Sequence, residues 1–152
     1  MSVVGVCLRN AEAAAAWVRD RAGERPIAVV AAGERHPDGS LRPAVEDLWG
    51  AGAFLAMLAG ADHSAAGKPA TAAGPTHRST AAGTAGFSPE AGAAIAAYQA
   101  LPGSPADALR ASVSGRELRL LGFADDVEVA AAVGASQTVP VLRQGWFVDG
   151  GS

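Results

Sequence analysis

Residues 3–32 read VVGVCLRNAEAAAAWVRDRAGERPIAVVAA, and the fold class turns on this stretch. Val3 to Leu8 is a short, nearly continuous apolar run of the kind a buried strand carries. Asn10 stands ahead of AEAAAAWVRDRA, where an Asn side chain can accept from the free N–H groups of a helix start. Gly23 is the natural stop, because glycine takes a left-handed cap without steric cost. Pro26 to Ala32 (PIAVVAA) is a second apolar run. Strand, helix and strand in that order predict a right-handed crossover and a parallel pair. The expectation is therefore an α/β fold, three-layer-like, with a small, mostly parallel sheet flanked by helices and a C-terminal strand–turn–strand.

Moving outward, GERHPDGSLRP (33–43) is a polar loop at the carboxyl end of the second strand, and Pro37-Asp38-Gly39 is a turn signature. A helix is expected from Ala44 to Ala59, with Val45, Leu48, Trp49, Gly52, Leu55, Ala56 and Ala59 on one stripe. Gly50 and Gly52 weaken such a helix and predict close packing against another element. Residues 61–86 hold no apolar side chain larger than alanine and are expected to be a flexible, low-complexity insertion. Beyond it, Ser88-Pro89-Glu90 and Ser104-Pro105-Ala106-Asp107 each combine a hydroxyl cap, a first-turn proline and an acid facing the helix dipole. Ser114-Gly115-Arg116-Glu117 matches a capping box, and Gly122 closes that helix. A further helix spans 124–133, and 139–142 with 146–148 read as a hairpin around Arg143-Gln144-Gly145.

The chain has 152 residues, which suits one domain, 1–152. Alanine (37) and glycine (19) supply so much of it that large apolar side chains are few and the core must be thin. Eleven Arg and one Lys are scattered at a net charge of −3, so a nucleic-acid surface is not expected. No stretch approaches the roughly 20 apolar residues of a membrane helix. MSVVGVCLRN has no basic n-region, which leaves the cytoplasm as the expected location. The single cysteine, Cys7, excludes an internal disulfide framework and reads as a small core residue. Gly50-Ala51-Gly52 lacks the remaining residues of any nucleotide loop, and no Gly-x-Ser-x-Gly elbow is present. His36, His63 and His77 do not form a metal pair and read as solvated.

Ligands of open α/β sheets bind beyond the carboxyl ends of the strands. That rim is where Glu34 and Arg35 fall, and Arg42 closes the same loop. Glu46 and Asp47 follow in the first turn of the helix. Adjacent acids there can hold Mg²⁺ with several waters retained, or can simply complement the helix dipole; spacing alone leaves these two even. The start at Ser114–Glu117 could hold an anion, with Arg116 as a planar fork for phosphate, although a plain capping box is the simpler account. Asp125-Asp126 opens the next helix, where capping is again simpler.

Taken together, AAGERHPDGSLRPAVEDLWGAGAFLAML (31–58), FSPEAGAA (87–94), SGRELRLLGFADDVEVAA (114–131), VPVL (139–142) and QGWFV (144–148) resemble the 2-phosphosulfolactate phosphatase family, taken as the C-terminal portion of its members. Those members are longer, with an N-terminal region expected to add sheet strands and substrate contacts. The resemblance implies an α/β, Mg²⁺-dependent phosphatase, with a homodimer expected. It would release sulfolactate and phosphate from 2-phosphosulfolactate, a step of coenzyme M biosynthesis in methanogens. Glu34, Asp47 and Glu117 are the expected catalytic residues. Arg35, Arg42, Ser114, Gly115 and Arg116 are expected to bind substrate, and Glu46, Asp47 and Asp126 to bind metal. The partner is then a small phosphorylated acid, not nucleic acid or a membrane. Two rivals stand beside this: a non-catalytic relative serving as a binding or dimerisation module, and an α/β domain that binds another phosphorylated acid.

Overall fold

A computed structural model describes residues 1–60 and 86–151. The insertion expected at 61–86 therefore falls, apart from Gly86, outside the described residues, as do His63 and His77. Ten elements follow in chain order: α1 Ala11–Ala22, β1 Glu34–Arg35, β2 Leu41–Arg42, α2 Val45–Leu58, α3 Pro89–Gln99, α4 Pro105–Ala111, α5 Val113–Leu120, α6 Ala124–Ala131, β3 Pro140–Arg143 and β4 Trp146–Asp149.

Alanine is the strongest helix former, and α1 uses it twice over. Ala11, Ala14 and Ala15 form its buried face, and their small size lets α2 lie close. Gly52 of α2 makes the closest approach. A Cβ there would sit 2.2 Å from the Ala94 carbonyl oxygen and 2.8 Å from Tyr98 Cβ of α3, so only glycine fits. The expected stripe on α2 is realised in its C-terminal half, where Ala53, Phe54, Leu55 and Ala56 are buried, while Val45 and Leu48 are exposed. The core gathers these residues with Leu8, Ile95, Tyr98, Val139 and Val141.

The helix starts of α3 and α4 match their sequence signals. Ser88 Oγ accepts from Ala91 N–H, and Ser104 Oγ accepts from Asp107 N–H. The start of α5 differs. Ser112, not Ser114, is the cap, and its Oγ accepts from Gly115 N–H at 3.0 Å. The helix begins earlier because α4 ends at Ala111 and leaves room for a single linking residue. Asn10 also differs. Its side chain caps nothing; Oδ1 accepts from Cys7 N–H, and Nδ2 donates to the carbonyls of Gly5 and Thr138.

The sheet expectation is overturned. The described strands form two small antiparallel pairs, β1–β2 and β3–β4, with Val141 opposite Val148 in the second. The turn between β3 and β4 places Gln144 (φ 52°) and Gly145 (φ 87°) in the left-handed region, as a tight two-residue hairpin requires. Neither arm of the expected crossover becomes a strand element. Residues 3–5 instead lie antiparallel to β3, with Gly5 N–H donating to the Pro140 carbonyl and Leu142 N–H to that of Val3. The C-terminal hairpin takes one edge of this segment, and residues 26–32 do not pair with the other. Pro26–Ala32 makes no backbone hydrogen bond among the described residues and is exposed. Cys7 is exposed rather than a core residue. What holds is a mixed helix-and-strand chain, and no described helix is long and apolar enough to cross a membrane.

Candidate active site

The loop at 33–42 closes as a hairpin because Gly33 permits it. Its φ is +70°, and a Cβ would lie 2.8 Å from the Arg42 carbonyl oxygen. Glu34 then faces Arg42, and Arg35 faces Leu41. Asp38 tightens the far end by accepting from both the hydroxyl and the N–H of Ser40. Those bonds, the hydroxyl first, hold the Asp38 carboxyl below its ordinary range. At the near end, Asp47 in the first turn of α2 accepts from Gly33 N–H at 2.7 Å and moors the loop to the helix.

Arg42 is the centre of this arrangement. One nitrogen, Nη1, lies 3.2 Å from Glu34 Oε2, and Nη2 donates to Glu117 Oε2 at 2.8 Å. Glu117 belongs to α5, 75 residues further on, so this one fork joins the two stretches that the sequence motifs had singled out separately. The hydrogen bond to Glu117, then its charge, hold the guanidinium above its usual range, with smaller contributions from Glu34 and Glu46. Glu117 is available for Arg42 because Ser112, rather than a Ser114–Glu117 box, opens α5.

The other expected residues are placed as follows. Arg35 is exposed, and its Nη1 donates to the Gly39 carbonyl at 3.2 Å. A cavity of about 310 Å³ lies against Gly33, Glu34, Arg35 and Gly39. That is the lower end of the roughly 300–1,000 Å³ range for small-ligand clefts. Arg116 folds back to donate to the Ala111 carbonyl at 2.6 Å. Gly115 is buried, its N–H already bound by Ser112, and a Cβ there would lie 2.2 Å from the Leu109 carbonyl oxygen. Ser114 is half-buried within the first turn of α5. Asp126 is exposed in the first turn of α6.

The expected metal set does not assemble. Among the described residues no three of His, Cys, Asp and Glu are gathered to hold an ion. Glu46 and Asp47 share the first turn of α2, where Asp47 is engaged by the Gly33 N–H, whereas Asp126 stands exposed in the first turn of α6. Glu46, Asp47 and Asp126 therefore do not come together as one three-carboxylate site among the described residues. Two residues escape a reading by motif. Gly33 could have been suspected from its place directly before Glu34-Arg35. Ser112 carries a weaker signal, a hydroxyl three residues ahead of a glycine.

The arrangement joins guanidinium and carboxylate groups beside a small cavity, which suits an anionic ligand. None of the curated proteins matches the chain. The family model described as 2-phosphosulpholactate phosphatase matches residues 1–145, nearly the whole chain and all of the site just described, and the chain accordingly belongs to that family.

Proposed function

We propose that the chain hydrolyses the phosphate ester of a small acid, with 2-phosphosulfolactate as the substrate and sulfolactate and phosphate as products. The observation that carries this reading is the Arg42 fork, which joins the 33–47 loop–helix to α5 beside a cavity lined by Glu34 and Arg35. Arg35 is the guanidinium that meets the incoming anion, because it stands exposed at the cavity and, among the described residues, is held by the Gly39 carbonyl alone. Substrate charge then competes with Glu34 and Glu117 for Arg42, and a planar fork binds phosphate as it binds carboxylate. The Glu34 carboxylate so released takes a proton from water. The water oxygen bonds to phosphorus, the ester P–O bond breaks, the departing alkoxide oxygen takes a proton from solvent, and Glu34 returns its own proton to solvent. Arg42 and Arg35 offset the charge that collects on the phosphoryl oxygens.

Mg²⁺ is expected from the family resemblance, and no step here is routed through it. The cytoplasm is the proposed setting, a reducing compartment in which the exposed Cys7 stays a thiol. A non-catalytic binding module is the second reading, favoured by the saturation of both arms of Arg42 by protein carboxylates. Phosphate release from 2-phosphosulfolactate and from phospholactate, each with Mg²⁺ and with chelator, decides between them. The proposal expects turnover of the sulfonate that Glu34→Gln abolishes. A folded chain that binds the substrate without releasing phosphate establishes the second reading.

A further inference from the structure

Residues 26–32 run from the end of α1 to the site hairpin with no turn, bend or backbone partner among the described residues. They are apolar, uncharged and exposed: Ile27 by 46%, Val29 by 36% and Val30 by 81%. An edge of this kind, with no charge or bulge to guard it, is a template for another strand. A second open edge lies nearby. Val3 and Gly5 turn their backbone groups to β3, so by alternation those of Val4 and Val6 face away from it, and among the described residues they too have no backbone partner. Val4, Val6, Ile27 and Val29 line one cavity of about 1380 Å³, together with Trp17 of α1 and Phe54 of α2. That volume exceeds the roughly 300–1,000 Å³ of small-ligand clefts. Two open backbone edges around an apolar groove ask for a peptide strand with both of its own edges free.

Among the described residues the only stretch of that kind is 26–32 itself. We propose that two copies of the chain exchange it, each laying its 26–32 strand in the other's groove. The arrangement closes about a two-fold axis. In order across the joint sheet come residues 3–6 of one copy, 26–32 of the partner, 26–32 of the first and 3–6 of the partner. Every open edge just described is then covered, and both copies use the same surface. Antiparallel pairing of the two central strands with Val29 opposite the partner's Val30 fixes the remaining register. Ile27 meets Ala32, and Pro26, which has no N–H, meets Gly33, whose N–H is already given to Asp47. One step further out, Arg25 falls opposite the partner's Glu34, and Glu24 opposite the partner's Arg35. Charge complementarity at both ends therefore selects the same register as the apolar centre. It also places a partner arginine beside Glu34 of each site.

Assembly, not turnover, tests this, so its outcome is independent of the phosphatase reading. Sedimentation equilibrium of the full chain should give a closed dimer. Hydrogen exchange of the 27–32 amides should be at least tenfold slower in the dimer than after dilution to monomer. Val29→Asp should abolish the dimer. Glu24→Arg sets like charges across two symmetric pairs and should weaken the dimer about tenfold, and adding Arg35→Glu should restore it. That charge-reversed pair lies on exposed side chains and keeps the test decisive even where Val29→Asp does not fold. A monomeric native chain, an open polymer, a dimer whose 27–32 amides exchange freely, or a Glu24→Arg defect that Arg35→Glu does not repair would each overturn the proposal.

Discussion

Arg42 holds two carboxylates on one guanidinium, at 2.8 Å and 3.2 Å, while a third, Glu46, adds to the field from α2. A lysine would supply the charge but only a single point of attachment. Arg42→Lys is accordingly expected to lower phosphate release about tenfold, and Arg42→Ala about a hundredfold, the scale of losing one charge-stabilising donor. The pairs are largely exposed, so the stability of the folded state should change little in either variant. Equal losses of turnover and of urea stability would mean that Arg42 only braces the fold. Asn10 is the opposite case. It is 4% exposed, and its amide ties residues 5 and 7 to residue 138. Asn10→Ala takes the partner from the carbonyls of Gly5 and Thr138 and from the N–H of Cys7, all half-buried bonds, and should cost about 1–3 kcal/mol in a urea melt. The sequence pattern pointed to Asn10 as a helix cap because capping is a local rule. The latch it forms depends on Thr138, which no spacing around residue 10 discloses.

Helix starts were legible because their chemistry is local. A hydroxyl, a proline and an acid within four residues suffice to specify Ser88 and Ser104. The same locality misplaced the start of α5, where two serines compete and the end of α4 decides between them. Ser112→Ala should cost about 1 kcal/mol of stability, whereas Ser114→Ala should change little. The prediction that Gly52 marks close packing also rests on local composition, and the α2–α3 approach agrees with it. Gly52→Ala must push the Ala94 carbonyl aside and should destabilise by about 1–3 kcal/mol, with both helices losing protection from hydrogen exchange together. Between α4 and α6, Arg110 bridges Asp107 and Glu128, and hydrogen bonding to Arg110 holds Glu128 below its ordinary 4.5. Asp107 is held below 3.8, chiefly by Ser104. Carboxyls lowered in the folded state stabilise it above their unfolded values, and that share is lost as pH falls through the folded ones. Thermal midpoints should therefore hold from pH 7 to pH 5 and fall below about pH 4.5, the unfolded value of Glu128. Arg110→Ala should flatten that fall.

At the scale of the molecule, the hydrophobic budget is unusual. Six of the thirteen residues in the buried cluster are alanine. Meanwhile Val30, Leu120, Leu121, Trp146 and Phe147 stand more than half exposed. The composition disclosed the thin core but not where the large side chains went. The parallel sheet failed as an expectation for the same reason. An apolar run such as PIAVVAA specifies that a strand wants burial, and it does not specify which chain provides the neighbour. If a second copy does, folding and association are one equilibrium. The native dimer is then favoured by mass action, and the melting midpoint depends on protein concentration. A tenfold rise in concentration supplies about 1.4 kcal/mol per dimer. Spread over the unfolding entropy of two 152-residue chains, that raises the midpoint by about 2 °C. Scanning calorimetry from micromolar to hundreds of micromolar should follow this slope in the native chain and lose it in Val29→Asp, whose midpoint should also lie lower at every concentration. A midpoint independent of concentration in both would mean that the open edge at 26–32 contributes nothing to holding the folded state together.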